Sequence, residues 1–366
     1  MGAPVRTMEE ITRRKTRQLF LGKVPVGGDA PVAVQSMTTS DTRNVRGTVA
    51  QIRRLARQGC EIVRVAVPDE EAAAALPGIK KRISLPLVAD IHFRHRLALM
   101  AIEAGVEGLR INPGNIKRAA LPEIVRAARD RGTVIRIGVN SGSLEKELLA
   151  KYGGPTAEAM VESALRHLRI MEDLGFDRMK VSLKSSDVPT MIRAYELLAA
   201  QVDYPLHLGV TEAGTILQAA IKSSLGIGAL LHRGIGDTIR VSVTGDPVRE
   251  LPVAYTILRA LRLRLVGPEI ISCPTCGRCE IDLPKLVRSV ERKLRNERVY
   301  LKVAVMGCVV NGPGEASEAD VGIAGGRGLG MLFRKGKIIA RVKEGDLTAA
   351  LLAEIEKIIK EKEEVG

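Results

Sequence analysis

Between Ala33 and Gly245, short apolar runs alternate with segments of helical spacing. The runs read AVQSMT (33–38), EIVRVAVP (61–68), PLVADIH (86–92), GLRINPGN (108–115), VIRIGVN (134–140), RMKVSLKSS (178–186), LHLGVTEAG (206–214) and TIRVSVTG (238–245). Between them, apolar residues recur at helical spacing, as at Ile52, Leu55 and Ala56, or at Leu165, Leu168, Ile170 and Met171. Gly59, Gly105, Gly175 and Gly234 stand just before a following run, where helices favour a glycine cap. Eight strand–helix units predict a parallel sheet closed into a (β/α)8 TIM-type barrel; an open doubly wound sheet usually carries fewer strands. Ahead of the barrel, 18–34 alternates around Lys23-Val-Pro-Val-Gly-Gly28 and predicts a hairpin closing the N-terminal end. After it, 264–271 reads as a linker. The rest predicts a smaller α+β domain: a helix over 283–296, a strand over 299–306, a hairpin over 331–342 and an amphipathic helix over 347–364. The expected domains are therefore 1–265 and 266–366.

Five of the strands place a cation between apolar neighbours: Val63-Arg64-Val65, Leu109-Arg110-Ile111, Ile135-Arg136-Ile137, Met179-Lys180-Val181 and Ile239-Arg240-Val241. Side chains alternate along a strand, and the helix-facing side must be apolar, so the cations point into the barrel. The same parity brings Asn112, Asn140, Ser182, Lys184 and Ser242 inward nearer the C-terminal mouth, where barrel enzymes place their chemistry. Unpaired buried charge is costly, and the inward carboxylates expected here, Asp90 and Glu212, are fewer than the cations. The interior suits a phosphate-rich small molecule, with an internal arginine–carboxylate network as the plainer alternative. Asp90 and His92 share a face at one strand end, and Glu212 ends another; these three are the acid–base candidates. His207, at the start of its strand, reads as structural.

The net charge of +14 raises nucleic-acid binding. Aromatic residues make up only 2% of the chain and Trp is absent, so stacking platforms are scarce and no nucleic-acid partner is expected. No apolar run is long enough to span a bilayer, and the charged start lacks the apolar core of a secretory signal, so a cytoplasmic protein without a membrane partner is expected.

Four of the five cysteines crowd into one stretch: Cys273, Cys276, Cys279 and Cys308. In a reducing compartment this favours metal over disulfide. Spacing alone leaves zinc and an iron–sulfur cluster both open. Asn311-Gly-Pro-Gly-Glu315 follows Cys308, and its turn can swing Glu315 back toward the cysteines. Three thiolates and one carboxylate would leave one iron open to substrate. Cys60 reads as a buried small hydrophobe. Gly325-Gly-Arg-Gly-Leu-Gly330 matches neither dinucleotide nor P-loop spacing and reads as a turn.

Long strings now stand together: Val32-Ala-Val-Gln-Ser-Met37, Pro86-Leu-Val-Ala-Asp-Ile-His92, Leu109-Arg-Ile-Asn-Pro-Gly-Asn115, Ile135-Arg-Ile-Gly-Val-Asn140, Leu208-Gly-Val-Thr-Glu-Ala-Gly214, Ser272-Cys-Pro-Thr-Cys276 and Gly307-Cys-Val-Val-Asn-Gly-Pro-Gly-Glu315. In these the chain resembles the bacterial 4-hydroxy-3-methylbut-2-enyl diphosphate synthases, iron–sulfur enzymes of the non-mevalonate isoprenoid pathway. The resemblance runs nearly end to end. It implies a barrel followed by a reductase-like domain, with a [4Fe–4S] cluster on Cys273, Cys276, Cys308 and Glu315. Cys279 is not among the family's ligands and is read as a bystander. The implied substrate is 2-C-methyl-D-erythritol 2,4-cyclodiphosphate, opened and reduced by two electrons with loss of water. The implied partners are a reduced flavodoxin or ferredoxin and a second copy of the chain, each active site being shared between the subunits of a homodimer. Arg64, Arg110, Asn112, Arg136, Asn140, Lys180, Lys184, Arg240 and Ser242 would then hold the diphosphate, and Glu212, with Asp90 and His92, would move the proton. Rival classes are a non-enzymatic iron–sulfur electron carrier, a zinc-bearing RNA-binding protein and a pterin-binding barrel transferase. The carrier needs no cation-lined cavity, and the transferase needs no cysteines.

Overall fold

A computed structural model describes residues 11–308 and 318–365. The chain divides into two compact units, Met1–Arg264 and Leu265–Gly366.

The first unit opens with a hairpin, β1 (Leu19–Leu21) and β2 (Val24–Val26). Eight parallel strands follow. They are β3 (Ala33–Met37), β4 (Ile62–Ala66), β5 (Leu87–Asp90), β6 (Gly108–Ile111), β7 (Val134–Asn140), β8 (Met179–Lys184), β9 (His207–Leu208) and β10 (Thr238–Ile239). Their order is β8-β7-β6-β5-β4-β3-β10-β9, and a bridge from Val181 to Leu206 joins the two ends into a barrel. Each strand turns outward into a helix, and the apolar stripe of that helix packs on the outward Val, Ile and Leu positions. In the helix Val45–Arg57, for example, Val49, Ile52 and Leu55 are buried.

The last two strands are shorter than the runs 206–214 and 238–245 predict. At Gly209 an added Cβ would sit 2.8 Å from the Arg240 carbonyl, so only glycine permits this close approach. Three residues on, Glu212 enters the left-handed region at φ 50°, and the regular ladder has already ended. The hairpin plugs the other end of the barrel: Leu19, Leu21 and Val26 pack on Ala33, Ile62, Val88 and Val134.

Barrel interiors fill in layers of four side chains from alternate strands. The strand registers here return to their starting residue after eight strands if each step rises one residue toward the C-terminal end. They place Gln35, Val88, Arg136 and His207 in one layer, with Ile62, Gly108, Lys180 and Thr238 beneath it. Arg64, Arg110, Ser182 and Arg240 form the layer above, followed by Met37, Asp90, Gly138 and Gly209. Asn112, Lys184 and Ser242 come next, nearest the mouth.

The second unit is a five-stranded sheet of β11 (Pro268–Ser272), β12 (Leu301–Met306), β13 (Val321–Ala324), β14 (Leu329–Arg334) and β15 (Lys337–Lys343), in that order. The first three are parallel and the last two antiparallel. The expected linker over 264–271 is thus largely strand. Pro268 opens it at the sheet edge, where a missing N–H is tolerated, and its pairing with Leu301–Val305 is non-local, which hides it from a reading of local pattern. The helices Leu283–Leu294 and Leu347–Val365 bury Leu286, Val290, Leu351 and Ile355 on Val303, Val305, Val321 and Ile323.

Candidate active site

The barrel interior carries six cations. Arg64, Arg110, Arg136, Lys180 and Lys184 are buried, and the Arg240 side chain is 15% exposed. Two buried carboxylates face them. Asp90 lies 3.3 Å from Arg110 Nη1 and 3.6 Å from Arg64 Nε. The second is Glu250, not Glu212. Arg240 grips Glu250 through Nη2–Oε1 at 2.9 Å and Nε–Oε2 at 3.3 Å, and Ser36 Oγ donates to Oε2 at 2.8 Å. Glu250 escaped the sequence reading because it comes from the first turn of the helix after β10, not from a strand. The signal available was a lone carboxylate opening a mostly apolar helix, Glu250–Ala260.

Burial works to raise the Asp90 pKa, but Arg64, Arg110, Arg136 and His92 outweigh it and hold the group below the usual carboxylate range. Asp90 is therefore an anchor for two guanidinium groups and a poor proton carrier. Partial burial and the nearby Arg110 push His92 down, against the pull of Asp90. Its ring lies 3.1 Å (Nδ1) and 3.2 Å (Nε2) from Arg110 Nη1, so the neutral ring receives a hydrogen bond from the arginine. The His92 side chain is 52% exposed.

Burial lowers Arg64 to about 10, with Asp90 opposing and Arg240 and Arg110 reinforcing. Burial beside Arg136 and Arg64 lowers Lys180 to about 7. Lys184 and Arg136 are both driven well below their ordinary values, by burial first and then by neighbouring cations. Arg136 Nε and Nη1 and Lys180 Nζ are buried without a hydrogen-bond partner among the described residues. A charged group in that condition calls for an anion.

Toward the mouth, Asn112 Oδ1 accepts from Gly114 N at 3.0 Å and shapes the loop after β6. Asn140 is half-buried; with its amide oriented to suit its neighbours, its oxygen accepts from Arg110 Nη2 at 3.1 Å. Ser242 is half-buried beyond β10. Glu212 is exposed, and its strained φ is held between two backbone bonds: Thr211 N to Ser185 O at 3.3 Å, and Thr244 N to Gly214 O at 3.0 Å. It does not balance the arginines. Gly138 matters too: a Cβ there would meet Arg110 Nε at 2.5 Å, so the missing side chain makes room for the guanidinium. His207 is buried, with Nδ1 2.8 Å from Thr238 Oγ1. Cys60 is buried and its thiol donates to Ile62 O.

In the second unit, β11 and β12 are parallel neighbours, so Cys273 and Cys308 leave the same end of the sheet. Gly307 N donates to Cys273 Sγ at 3.2 Å, the kind of contact that steadies a thiolate. Glu280 N bonds Gly307 O and Cys279 N bonds Cys276 O, both at 2.9 Å, which ties down the loop carrying exposed Cys276. Cys279 donates to Ile281 O at 3.2 Å and, like Cys273, packs on the core of this unit, with its sulfur beside Gly307. Among the described residues, no three His, Cys, Asp or Glu side chains are gathered as a metal site. Glu315 and its turn lie outside the described residues. Cys273 and Cys308 at adjoining strand ends, with Cys276 on the loop after the first, are a soft thiol donor set whose chemistry fits an iron–sulfur cluster.

The fold and the buried cations define a TIM-barrel protein with a cation-lined interior, followed by a cysteine-bearing α/β unit. The GcpE TIM-barrel domain matches residues 16–255, and the GcpE protein C-terminal domain matches residues 269–357. The chain belongs to the GcpE family. It is similar to 4-hydroxy-3-methylbut-2-en-1-yl diphosphate synthase (flavodoxin) of Geobacter sulfurreducens, 60% identical over 96% of this chain and 99% of that one. The protein of the same name from Nitratidesulfovibrio vulgaris is 62% identical over 94% of this chain and 90% of its own length. A dihydropteroate synthase from Xanthomonas albilineans covers 67% of this chain and 98% of its own at 15% identity and a TM-score of 0.49, too slight a likeness to bear on function. No helix among the described residues is long and apolar enough to cross a membrane.

Proposed function

We propose that this chain converts 2-C-methyl-D-erythritol 2,4-cyclodiphosphate to 4-hydroxy-3-methylbut-2-enyl diphosphate by reductive ring opening and dehydroxylation. The observation that carries the reading is the excess of buried cations over buried carboxylates in the barrel. Counted on neutral species, the reaction consumes two electrons and two protons and releases one water. The ring carbon–oxygen bond breaks with its oxygen staying on phosphorus, so the diphosphate gains an anionic terminus. Arg110, Arg136, Lys184 and Arg240, already in place and partly unneutralised, favour that growth of negative charge over the starting ring. Asn140 and Ser242 orient the phosphate oxygens, Asn112 shapes the rim, and Arg64 and Lys180 add field from within. Glu212, exposed at the mouth on strained backbone, transfers the proton for the departing hydroxyl. His92 and Asp90 both fix Arg110 from its mouth side.

Cys273, Cys276, Cys308 and Glu315 would hold a [4Fe–4S] cluster. When bound, the cluster supplies the two electrons, one at a time. A reduced flavodoxin, the donor for which the relatives are named, or a ferredoxin would refill it. The chain would act as a homodimer in a cytoplasmic setting. Titration calorimetry of the protein with the cyclic diphosphate and with pyrophosphate tests the anion site. Both should bind, and Arg136→Met should weaken each by about tenfold or more, the equivalent of about 1.4 kcal/mol. Absence of any binding to the wild-type chain would overturn the reading.

A further inference from the structure

The closed half of the barrel has buried polar atoms that no partner among the described residues satisfies and that lie away from the mouth, some of them on two residues whose charge also serves the proposed reaction. Gln35, Arg136 and His207 occupy one layer together with Val88, and Lys180 lies in the layer beneath. The side chains of a barrel layer converge on the axis. All four polar residues are at most 2% exposed. Gln35 Nε2 and Oε1, Arg136 Nε and Nη1, His207 Nε2 and Lys180 Nζ have no hydrogen-bond partner among the described residues. So large a share of orphaned buried polar atoms in two adjoining layers is unusual for a folded chain.

The orphaned atoms are mostly donors: two faces of a guanidinium, an ammonium and an amide NH2. His207 can join them. Its Nδ1 can accept from the Thr238 hydroxyl, which leaves Nε2 to carry the proton. Asp90 acts on Arg136 and Asp237 on Lys180 from a distance, but each carboxylate hydrogen-bonds or ion-pairs with other groups. Asp90 is two layers higher, between Arg110 and Arg64. Glu250 is gripped by Arg240, and buried Asp237 takes Arg13, Thr16 and the Leu206 N–H. Water could satisfy the donors but not the charge of Arg136. Beneath, Ile62 and Val134 meet the hairpin's Leu19, Leu21 and Val26, which seal the end.

We infer that this half of the barrel holds one small inorganic anion, of the chloride class, on the axis among Gln35, Arg136, Lys180 and His207, separate from the substrate phosphates above. The layers are one residue apart, about 3.3 Å along the strands, which suits a monatomic ion and not a tetrahedral oxyanion. The ion would serve as a fixed counter-charge that keeps Arg136 aimed upward at the substrate. It lies below the layer of Arg64, Arg110 and Arg240, so substrate would not displace it.

Crystals of the holoenzyme soaked in sodium bromide test this by anomalous diffraction at the bromine edge. One anomalous peak on the axis beside Lys180 and Arg136 is expected, with and without bound cyclic diphosphate. Thermal unfolding of the full chain in sodium chloride and in sodium gluconate at equal ionic strength gives a second readout. Chloride at about a hundredfold over its dissociation constant should raise Tm by about 5 °C, and Lys180→Met should abolish that rise. Absence of a peak together with equal Tm in the two salts would leave only water there and overturn the inference. A peak that vanishes when substrate binds would also overturn it, because the ion would then mark a substrate phosphate position. Either failure leaves the proposed reaction standing.

Discussion

Glu250→Gln is the substitution most directly legible in the barrel's charge pattern. The carboxylate is 1% exposed, accepts from Arg240 at two atoms and from Ser36, and is nearly isosteric with the amide. The change removes the charge and little else. It leaves Arg240 in a region already crowded with Arg64, Arg110 and Lys184 and with no carboxylate of its own. At an effective dielectric of about 20, a pair at this separation attracts by about 6 kcal/mol. Breaking a buried pair by removing one partner costs about 3–5 kcal/mol, because part of that attraction had offset desolvation. A loss of about 3 kcal/mol is expected, since Arg240 is slightly exposed and retains some water. Urea unfolding followed by far-ultraviolet circular dichroism would show this as a lower midpoint with an unchanged slope. Saturating pyrophosphate should restore more stability to the variant than to wild type, because the ligand replaces the missing anion. A loss under about 1 kcal/mol, with no extra rescue by pyrophosphate, would refute the reasoning that Glu250 is the carboxylate that offsets Arg240 in a cation-rich interior.

Gly138→Ala should push Arg110 off its position, since the new Cβ would lie 2.5 Å from Nε, and should raise KM for the cyclic diphosphate about tenfold, with some loss of stability from the disturbed Arg110–Asp90 pair; an unchanged KM would place Arg110 outside the binding set. Lys180, lowered to about 7 from 10.5, releases its proton in the folded chain before the unfolded one does. The unfolded state therefore binds more protons across that window, and in halide-free buffer stability should gain from this group as pH rises from about 7 toward 10.5. Lys180→Met should remove that gain, and parallel pH curves for the two proteins would contradict it. Cys279→Ala should keep the iron content and visible absorbance of reconstituted protein, whereas Cys276→Ala should lose most of both, as measured by iron analysis; the reverse order would make Cys279 the ligand.

The eight strand runs and the inward cations were legible because both are local, period-two signals: Val63-Arg64-Val65 already states which side chain faces the helices and which faces the axis. The hairpin at 19–26 was legible from its alternation and glycines. What escaped was non-local. Glu250 reaches the interior from a helix start, and its pairing with Arg240 depends on how the chain turns after β10. Glu212 was expected to face inward, but His207 and Gly209 face the axis, so the parity of β9 points 212 away from it; the strand also ends before Glu212, whose positive φ leaves it exposed. The strand at Pro268–Ser272 looked like a linker because only Leu301–Val305 makes it a strand. Gly138 carries no chemistry of its own and acquires meaning only from the guanidinium packed against it.

The most direct test of the central claim is an anaerobic turnover assay on purified, cluster-reconstituted protein, given the cyclic diphosphate and a reduced viologen, with products read by mass spectrometry. The expected result is linear 4-hydroxy-3-methylbut-2-enyl diphosphate, formed with two electrons consumed per molecule. A brown, iron-loaded protein that returns the cyclic diphosphate unchanged under these conditions would contradict the account.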